Sequence, residues 1–239
     1  MAYTTSLISH WKLGTALDSH GTNHLTEHNA PSYVAAKLGN GVDFESTSSQ
    51  YLSCTSNSSL QAGDIDFTFS FWFNLETAAT GFIIVGKDTD SPASSRDYTI
   101  DIDDVGPKLR FFVNGGAAIL THSETITAGT YYFGVCWHNA AADTLNVQLN
   151  NGTVETVSTG GIAPNTSSAE FRIGARQYSG FEGYFDGIVN SVSFWKRTLD
   201  TTERSGLWNS GNGLDYDSFG AAAGPVIPVF MNQYRQRCA

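Results

Sequence analysis

The ten residues DFTFSFWFNL, from Asp66 to Leu75, constrain the fold more than any other part of the chain. Every second residue from Phe67 to Leu75 is large and apolar, and the residues between them are polar except for Trp72. In an extended strand, successive side chains point to opposite faces. The stretch therefore predicts a β-strand with one face in a core and Trp72 on the other face.

Similar strand patterns recur along the chain, with turn signals between them. They include Lys108–Val113, Tyr131–His138, and two alternating stretches on either side of Asn151-Gly152, a dipeptide that predicts a type I′ hairpin turn. Charged residues make up only 15% of the chain, which is typical of sandwiches and barrels with many turns. We therefore expect residues 1–220 to form one all-β domain.

The stretch YFDGIVNSVSFWKRTLD predicts a closing strand followed by a helix. Strict alternation would place on one face of that strand Ile188, Asn190, Val192 and Phe194. Asp200 is suited to cap the first helical turn, and Glu203 stands three residues further on, as in a capping box. The sequence therefore predicts a short helix after the last strand.

The acidity of the chain limits its partners. Thirteen basic and 23 acidic residues give a net charge of −10. Binding to nucleic acid or to an anionic membrane surface needs a basic surface, so neither partner is expected. No stretch approaches the ~20 apolar residues of a membrane span, and the first ten residues lack the pattern of a signal peptide. Neutral sugars and bound cations remain compatible with this charge.

Residues 221–239 differ from the rest of the chain. Residues 1–220 contain 11 basic and 23 acidic residues, a charge of −12, whereas the tail has a charge of +2. Two prolines argue against a helix or a central strand there. Two interpretations stay open, a tail folded back on its own domain and an assembly arm that docks on a neighbouring subunit. The predicted contact residues of such an arm are Val226, Ile227, Val229, Phe230, Tyr234 and Arg235.

Five stretches, in this order, resemble the laminin-G-like, concanavalin A-like jelly-roll family. They are HWKLG (His10–Gly14), DSHGTNHLT (Asp18–Thr26), LGNGVDFESTSSQYLSC (Leu38–Cys54), GDIDFTFSFWFN (Gly63–Asn74) and YFDGIVNSVSFWKRTLDTTE (Tyr184–Glu203). The resemblance implies two antiparallel sheets packed face to face. It also implies that the domain binds glycans or proteins, or acts as a spacer. The tail is similar to the ends of laminin-G-like proteins from marine bacteria and their phages.

These features predict a non-catalytic structural or adhesion protein of a virion or cell surface, such as a phage capsid decoration or fibre component that binds glycans. The expected partners are other subunits or virion proteins, in a homo-oligomer or a larger assembly. The expected location is the virion or the extracellular surface. One alternative is a soluble lectin without an assembly role, and a second is a polysaccharide-cleaving enzyme on the same fold.

Catalytic residues are not predicted. Related glucanases carry Glu-x-Asp-x-x-Glu on one strand, because glycoside cleavage needs paired carboxylates at a controlled spacing. This motif is absent, and Asp101 and Asp103 come nearest to it. The family's Asp-Glu pair in the last strand is replaced here by Asn190-Ser191. That replacement removes two carboxylates and makes a catalytic role less favourable.

Glycan binding usually combines an aromatic ring, which stacks on the sugar, with amide and charged groups nearby. The candidates in this chain are Trp72, Arg96, Tyr98, Asn114 and Tyr178.

A structural calcium ion is implied by the resemblance, because many concanavalin-like domains use one to tie an N-terminal loop to the last strand. The implied ligands are Asp18 and Asp186, completed by Asn23 or by a carbonyl near Gly41, since hard cations prefer oxygen ligands. Both aspartates also suit turns, an Asx turn at Asp18 and an Asp-Gly turn at Asp186. The two interpretations stay open for each residue.

Overall fold

The computed structural model describes residues 3–89, 96–177 and 183–220. Within these ranges the chain forms short strands, a few single turns of 3-10 helix and one α-helix. The strands are β1 (Leu7–Trp11), β2 (Thr26–His28), β3 (Ser32–Ala35), β4 (Asn40–Phe44), β5 (Tyr51–Cys54), β6 (Phe67–Leu75), β7 (Ile83–Asp88), β8 (Arg96–Ile102), β9 (Leu109–Val113), β10 (Ala118–Thr121), β11 (Tyr131–Asn139), β12 (Thr144–Leu149), β13 (Val154–Ser158), β14 (Phe171–Ile173) and β15 (Gly187–Trp195). The helix is α1 (Thr201–Trp208).

The strands form two antiparallel sheets that pack as a sandwich, which confirms the predicted fold. The eight-stranded sheet has the order β13-β12-β11-β6-β15-β4-β3, with β1 also paired to β15. The seven-stranded sheet has the order β10-β9-β8-β7-β14-β5-β2. Neighbours in space are often distant in sequence, as with β6 and β15. Pairing of this kind brings residues from all parts of the chain to each face of the sandwich.

The core between the sheets is built from alternate positions of the strands. All five apolar residues predicted for one face of β6 are fully buried: Phe67, Phe69, Phe71, Phe73 and Leu75. They face the opposite sheet. For example, the ring centroids of Phe69 and Tyr98 lie 5.2 Å apart. Burying one such side chain contributes roughly 1.5–3 kcal/mol relative to leaving it exposed. The β6 pattern therefore identified the centre of the core correctly.

A second apolar cluster covers the outer face of the eight-stranded sheet. Strand residues such as Trp72 and Phe133 meet Leu207 and Phe219 from the C-terminal part of the domain. Trp208 of α1 stacks on Trp72 with ring centroids 5.4 Å apart. This face is therefore closed by α1 and the segment after it. Among the described residues, no helix has the length and apolar character needed to cross a membrane.

The helix α1 begins at the predicted capping box. Asp200 Oδ1 accepts the backbone N–H of Glu203 at 2.8 Å, and Glu203 Oε2 accepts that of Asp200 at 3.0 Å. Arg197 donates two further hydrogen bonds to the Glu203 carboxylate, at 2.6 and 2.7 Å. Asn209, with a φ of 48°, ends the helix in the left-handed conformation. The capping box and Arg197 together fix α1 to the end of β15.

The hairpin between β12 and β13 turns one residue earlier than predicted. Asn150 and Asn151 have φ values of 50° and 56°, and the Gly152 N–H donates to the Leu149 carbonyl at 2.7 Å. Positive φ at both central residues is the mark of a type I′ turn. The turn type was predicted correctly, but Asn150 and Asn151 form its centre, because asparagine tolerates the left-handed region.

A β-bulge at Ser191 changes the faces predicted for β15. The register against β6 shifts after Asn190, and Ser191 has a φ of 54°. One extra residue reverses the alternation of the residues that follow it. Val192 and Phe194 therefore belong to the core, whereas Ile188 and Asn190 lie on the opposite face. The prediction that these four residues share a face is wrong.

Candidate functional site

The outer face of the seven-stranded sheet is polar, in contrast to that of the eight-stranded sheet. In β9, Leu109, Phe111 and Val113 belong to the core, so Arg110 and Phe112 point outward. The neighbouring strands add outward-facing Asp88, Thr99, Asp101 and Arg172. Charged groups thus line a face that neither α1 nor the C-terminal segment covers within the described residues.

A pocket of about 180 Å³ lies on this face, near the edge formed by β10. The described residues that line it are Asp88, Arg96, Arg110, Phe112, Gly115, Gly116, Ile119 and Arg176. Pockets for drug-sized ligands measure roughly 300–1,000 Å³. The volume therefore suits a smaller group, such as one unit of a longer chain whose remainder stays outside.

Arg110 is held rigidly on the wall of this pocket. Its Nε and Nη2 donate to the two oxygens of Asp101 at 2.9 and 2.6 Å, and its Nη1 donates to Asp103 and Asp104 at 2.9 and 2.8 Å. The guanidinium also lies 5.5 Å from the centroid of the Phe112 ring, within the range of a cation–π contact. Three carboxylates and one ring fix the position of this cation.

One of the predicted carbohydrate-binding residues, Arg96, lines this pocket, and a second, Asn114, precedes the two glycines of its wall. The Asn165 amide donates to both the Arg96 carbonyl, at 3.1 Å, and Asn114 Oδ1, at 2.8 Å. The turn after Asn114 approaches Arg96 so closely that a Cβ on Gly115 would lie 2.5 Å from Arg96 Cδ. Gly115 also has a φ of 64°, so this wall requires glycine there.

The other predicted carbohydrate-binding residues lie elsewhere. Trp72 belongs to the outer cluster of the eight-stranded sheet, between Trp208 and Lys37, and is 2% exposed. Tyr98 is a core residue, 1% exposed, and its hydroxyl donates to the Leu60 carbonyl at 2.8 Å. Because protein covers both rings, neither presents a face to a sugar. Tyr178 lies outside the described residues.

Asp101 and Asp103, the nearest approach to a catalytic pair, both bind Arg110. Burial raises the pKa of Asp101, although the Arg110 guanidinium opposes that shift. Both oxygens of Asp101 are already hydrogen-bonded to the guanidinium. A carboxylate held in this way is poorly placed to exchange a proton with a substrate. Its geometry is that of a structural ion pair.

Asp18 organises the loop that follows β1. Its carboxylate accepts four backbone N–H groups at 2.9 to 3.1 Å, from His10, His20, Gly21 and Asn23. Burial alone would raise the pKa of Asp18, but the hydrogen bonds from this backbone lower it. The Asn23 side chain is likewise bonded to Ser9, Asn57 and Ser59. These contacts match the turn interpretation of Asp18.

Asp186 lies far from Asp18. It precedes β15 and accepts the backbone N–H and the hydroxyl of Ser46, at 3.1 and 2.8 Å. The Asp18 carboxylate accepts the backbone N–H of His10. His10 in β1 pairs with Ser193 in β15, and Ser193 is seven residues from Asp186 along the chain. At about 3.3 Å per strand residue, that separation is about 20 Å. The structure therefore does not bring Asp18 and Asn23 together with Asp186.

Three further carboxylates gather near Asp186. Oxygens of Asp43, Glu45 and Glu76 all lie within 4.8 Å of one another. Burial and the charge of Asp186 raise the pKa of Asp43, and burial with the charges of Asp43, Glu45 and Asp186 raises that of Glu76. This acidic group, Asp43–Glu45–Glu76, was missed from sequence because it depends on the pairing of β15 with β4 and β6.

Replacing Glu76 by glutamine is expected to raise the melting temperature at pH 7 and to change it little below about pH 4. A carboxyl whose pKa is higher in the folded state stabilises that state below its unfolded pKa, and this contribution is lost as the pH rises through the folded pKa. Thermal unfolding at both pH values checks the prediction, with Glu124→Gln at an exposed position as the matched control. An equal shift at both pH values would contradict it.

Residues 46–203 match the family model of the concanavalin A-like lectin/glucanases superfamily. A search of curated proteins gave no match to the sequence. Domain 4 of AbnA, a GH43 extracellular arabinanase from Geobacillus stearothermophilus, solved in complex with arabinotriose, has a TM-score of 0.65 at 14% identity over 87% of this chain and 98% of that one.

Toxin binding domains also share the architecture. The binding domain of Paraclostridial Mosquitocidal Protein 1 has a TM-score of 0.69 at 14% identity, over 87% of this chain and 53% of that one. The binding domain of botulinum neurotoxin DC, in complex with SialylT, has a TM-score of 0.63 at 13% identity, over 87% and 52%. The chain thus spans about half the length of these domains, and at such identities the likeness shows the fold alone.

Proposed function

Because this chain belongs to the concanavalin A-like lectin/glucanases superfamily, we propose that it is a non-catalytic carbohydrate-binding protein. The site we propose is the arginine pocket, defined by Asp88, Arg96, Arg110, Phe112, Gly115, Gly116, Ile119 and Arg176. The observation that carries the proposal is this concave set of fixed polar groups beside apolar ones. Such a combination orients a small ligand by hydrogen bonds and removes part of its surface from water.

Two neighbours in fold support a carbohydrate ligand. The arabinanase domain was solved with a bound arabinotriose, and the cell entry of botulinum neurotoxin type C depends on interaction with two ganglioside molecules. These properties belong to those proteins. They support a saccharide ligand here through the shared fold alone.

The absence of catalysis is part of the proposal. The two aspartates nearest to a glycosidase pattern, Asp101 and Asp103, hold Arg110 in place. Among the described residues, Asp88 is the single acidic side chain of the pocket lining. Glycoside cleavage needs two carboxyl groups at a controlled distance, so binding without cleavage fits this lining better.

Substituting tryptophan for Ile119 is expected to weaken glycan binding by about tenfold or more, because the indole would fill the mouth of the pocket. Ile119 is 47% exposed on the edge strand β10, where an aromatic residue is compatible with strand structure. The matched control is Ile65→Trp, at a position that is 37% exposed and outside the pocket.

A glycan array followed by titration calorimetry measures this effect. The wild type and Ile65→Trp should bind the same glycans with similar affinity. Failure of the wild type to bind any glycan, or full affinity in Ile119→Trp, would overturn the proposal.

We also propose a role in a virion or other assembly, and this proposal rests on the sequence of the tail. The predicted contact residues of the arm are Val226, Ile227, Val229, Phe230, Tyr234 and Arg235, and all of residues 221–239 lie outside the described residues. The basic charge of the tail, opposite to that of the domain, supports docking on an acidic surface such as a second copy of this chain.

The structural calcium also remains a proposal. The fully bonded Asp18 and Asn23 do not fit it, whereas the carboxylates beside Asp186 offer the oxygen ligands that calcium prefers. If calcium binds there, it raises the melting temperature of the wild type and a chelator removes that gain. Glu76→Gln should then respond to neither addition.

A further inference from the structure

His10 in β1 carries a fully buried imidazole on the outer side of the eight-stranded sheet. Its Nδ1 lies 2.7 Å from Ser193 Oγ, and its Nε2 has no hydrogen-bond partner among the described residues. A neutral imidazole carries one ring proton, and a second proton makes both nitrogens donors. Nε2 would then be a buried N–H without an acceptor on a positively charged ring. The surroundings of His10 therefore favour the neutral ring over the cation.

The rings that cover His10 come from the end of the described chain. Tyr216 stacks on His10 with ring centroids 4.5 Å apart and planes 12° apart, and the edge of the Phe219 ring lies 5.3 Å away. Phe219 also stacks on Trp195, with ring centroids 6.3 Å apart. We call residues 215–219 the C-terminal strap. Lifting the strap would remove both rings from His10 and bring water to it.

Side chains, more than backbone pairing, hold the C-terminal strap on the domain. Its described backbone hydrogen bonds stay within it, since the N–H groups of Ser218 and Phe219 donate to carbonyls of the strap itself. The ion pair between Lys12 Nζ and Asp217, at 2.8 Å, is exposed, and exposed pairs contribute little stability. A segment attached in this way can open locally while the sheets stay folded.

The charges around His10 oppose its protonation while the strap is closed. Burial, the largest cause, and the charge of Lys12 lower the pKa of His10 from 6.5 to about 3, against the opposing charge of Asp18. The charged or titratable groups that face His10 are Lys12 just after β1, Asp18 and His20 in the next loop, and Tyr216 and Asp217 in the strap.

The direction of the pH effect follows from this lowered pKa. A group whose pKa is lowered in the closed state stabilises that state above the open-state pKa, and the contribution is lost as the pH falls toward the closed-state value. Opening of the strap therefore takes up one proton between about pH 6.5 and about pH 3, and it becomes more frequent as the pH falls.

We propose that the C-terminal strap is released by acid: protonation of His10 detaches Tyr216 and Phe219 from the outer face of the eight-stranded sheet, while the two sheets stay folded. Release uncovers the side of Trp195 that Phe219 faces. It thus exposes part of the outer apolar cluster in acidic surroundings. The arginine pocket lies on the seven-stranded sheet, so this device is independent of the proposed function.

Hydrogen exchange measured by mass spectrometry from pH 7.5 to pH 4.5, and corrected for the intrinsic exchange rate, tests the proposal. Below about pH 6, the protection of residues 215–219 should fall about tenfold per pH unit, the slope for uptake of one proton, and reach a loss of about 100-fold at pH 4.5. Strand β11 should stay the better protected throughout, because its exchange requires the sheets to open.

Two variants assign the proton. His10→Gln keeps a hydrogen-bonding side chain that does not titrate, so the protection of its strap should change by less than about threefold over the same range. His20→Gln is the matched control, because His20 is exposed and its Nδ1 lies 3.1 Å from the Tyr216 hydroxyl. The control should keep the full pH dependence.

Several results would overturn the proposal. One is a flat pH profile of the wild-type strap, and another is equal protection of the strap and β11 at pH 4.5, since the whole sandwich would then be opening. A pH dependence that survives in His10→Gln, or disappears in His20→Gln, would place the proton elsewhere. If His10→Gln does not fold, the wild-type profile and His20→Gln still decide.

Discussion

Replacing Lys87 by methionine is expected to lower the free energy of unfolding by about 3–5 kcal/mol, the usual cost of removing one partner from a buried ion pair. The Lys87 and Asp97 side chains are both fully buried, with Nζ 2.8 Å from Asp97 Oδ2 and 2.8 Å from the Ser167 carbonyl. Without the ammonium group, Asp97 Oδ2 would keep, among the described residues, only the hydrogen bond from the Ser167 N–H at 3.2 Å. A buried charge would then lack its counter-ion.

The midpoint of urea unfolding measures this loss. Lys12→Met is the matched control, because its partners Asp215 and Asp217 are exposed and such pairs contribute about 0–1 kcal/mol. The double variant Lys87→Met/Asp97→Leu should recover much of the lost stability, since it leaves no unpaired charge. A loss below about 1 kcal/mol in Lys87→Met would show that the pair is not buried in solution as described.

Replacing Asn190 by aspartate is expected to cost about 3 kcal/mol or more at pH 7. Asn190 is fully buried, and its amide nitrogen faces the carbonyl oxygens of Lys12, Leu38 and Asn40 at 2.9, 3.1 and 2.8 Å. Its Oδ1 accepts the Leu38 N–H at 2.9 Å. Aspartate keeps the shape but places a negative oxygen against three carbonyl groups.

The defect should shrink as the pH falls. The surrounding carbonyls and the burial would raise the pKa of the new carboxyl in the folded state, so its protonated form favours folding at low pH and that contribution disappears as the pH rises. Thermal unfolding across pH 4 to 7 checks this, with Asn40→Asp, at an exposed side chain, as the control. A loss in Asn190→Asp that does not change with pH would contradict the proposed cause.

Asn190 also explains a departure of this chain from its family pattern. The family's Asp-Glu pair is replaced here by Asn190-Ser191, which removes two carboxylates. The structure shows what the two new residues contribute to the fold. Asn190 joins three backbone segments, and Ser191 forms the bulge that returns Val192 and Phe194 to the core. The replacement therefore supports the architecture of β15.

The sequence predicted some residues of the candidate site, and these are polar residues near turns. Arg96 lines the arginine pocket and Asn114 lies beside it, because β8 and β9 pair as a hairpin whose ends lie close together. Arg110, Phe112 and Arg176 were not singled out. Their role depends on the pairing of β7 with β14 and β8, which links residues that are distant in sequence.

The sequence by itself determined the features that depend on neighbouring residues. The buried face of β6 and the capping box of α1 both follow from spacings of two or three residues, where backbone geometry fixes the direction of each side chain. Only the tertiary structure decided what covers each outward face. Trp72 faces outward by alternation as Phe112 does, yet α1 covers Trp72 whereas arginines surround Phe112. Alternation distinguishes the two faces of a strand, but what covers each face depends on contacts between distant segments.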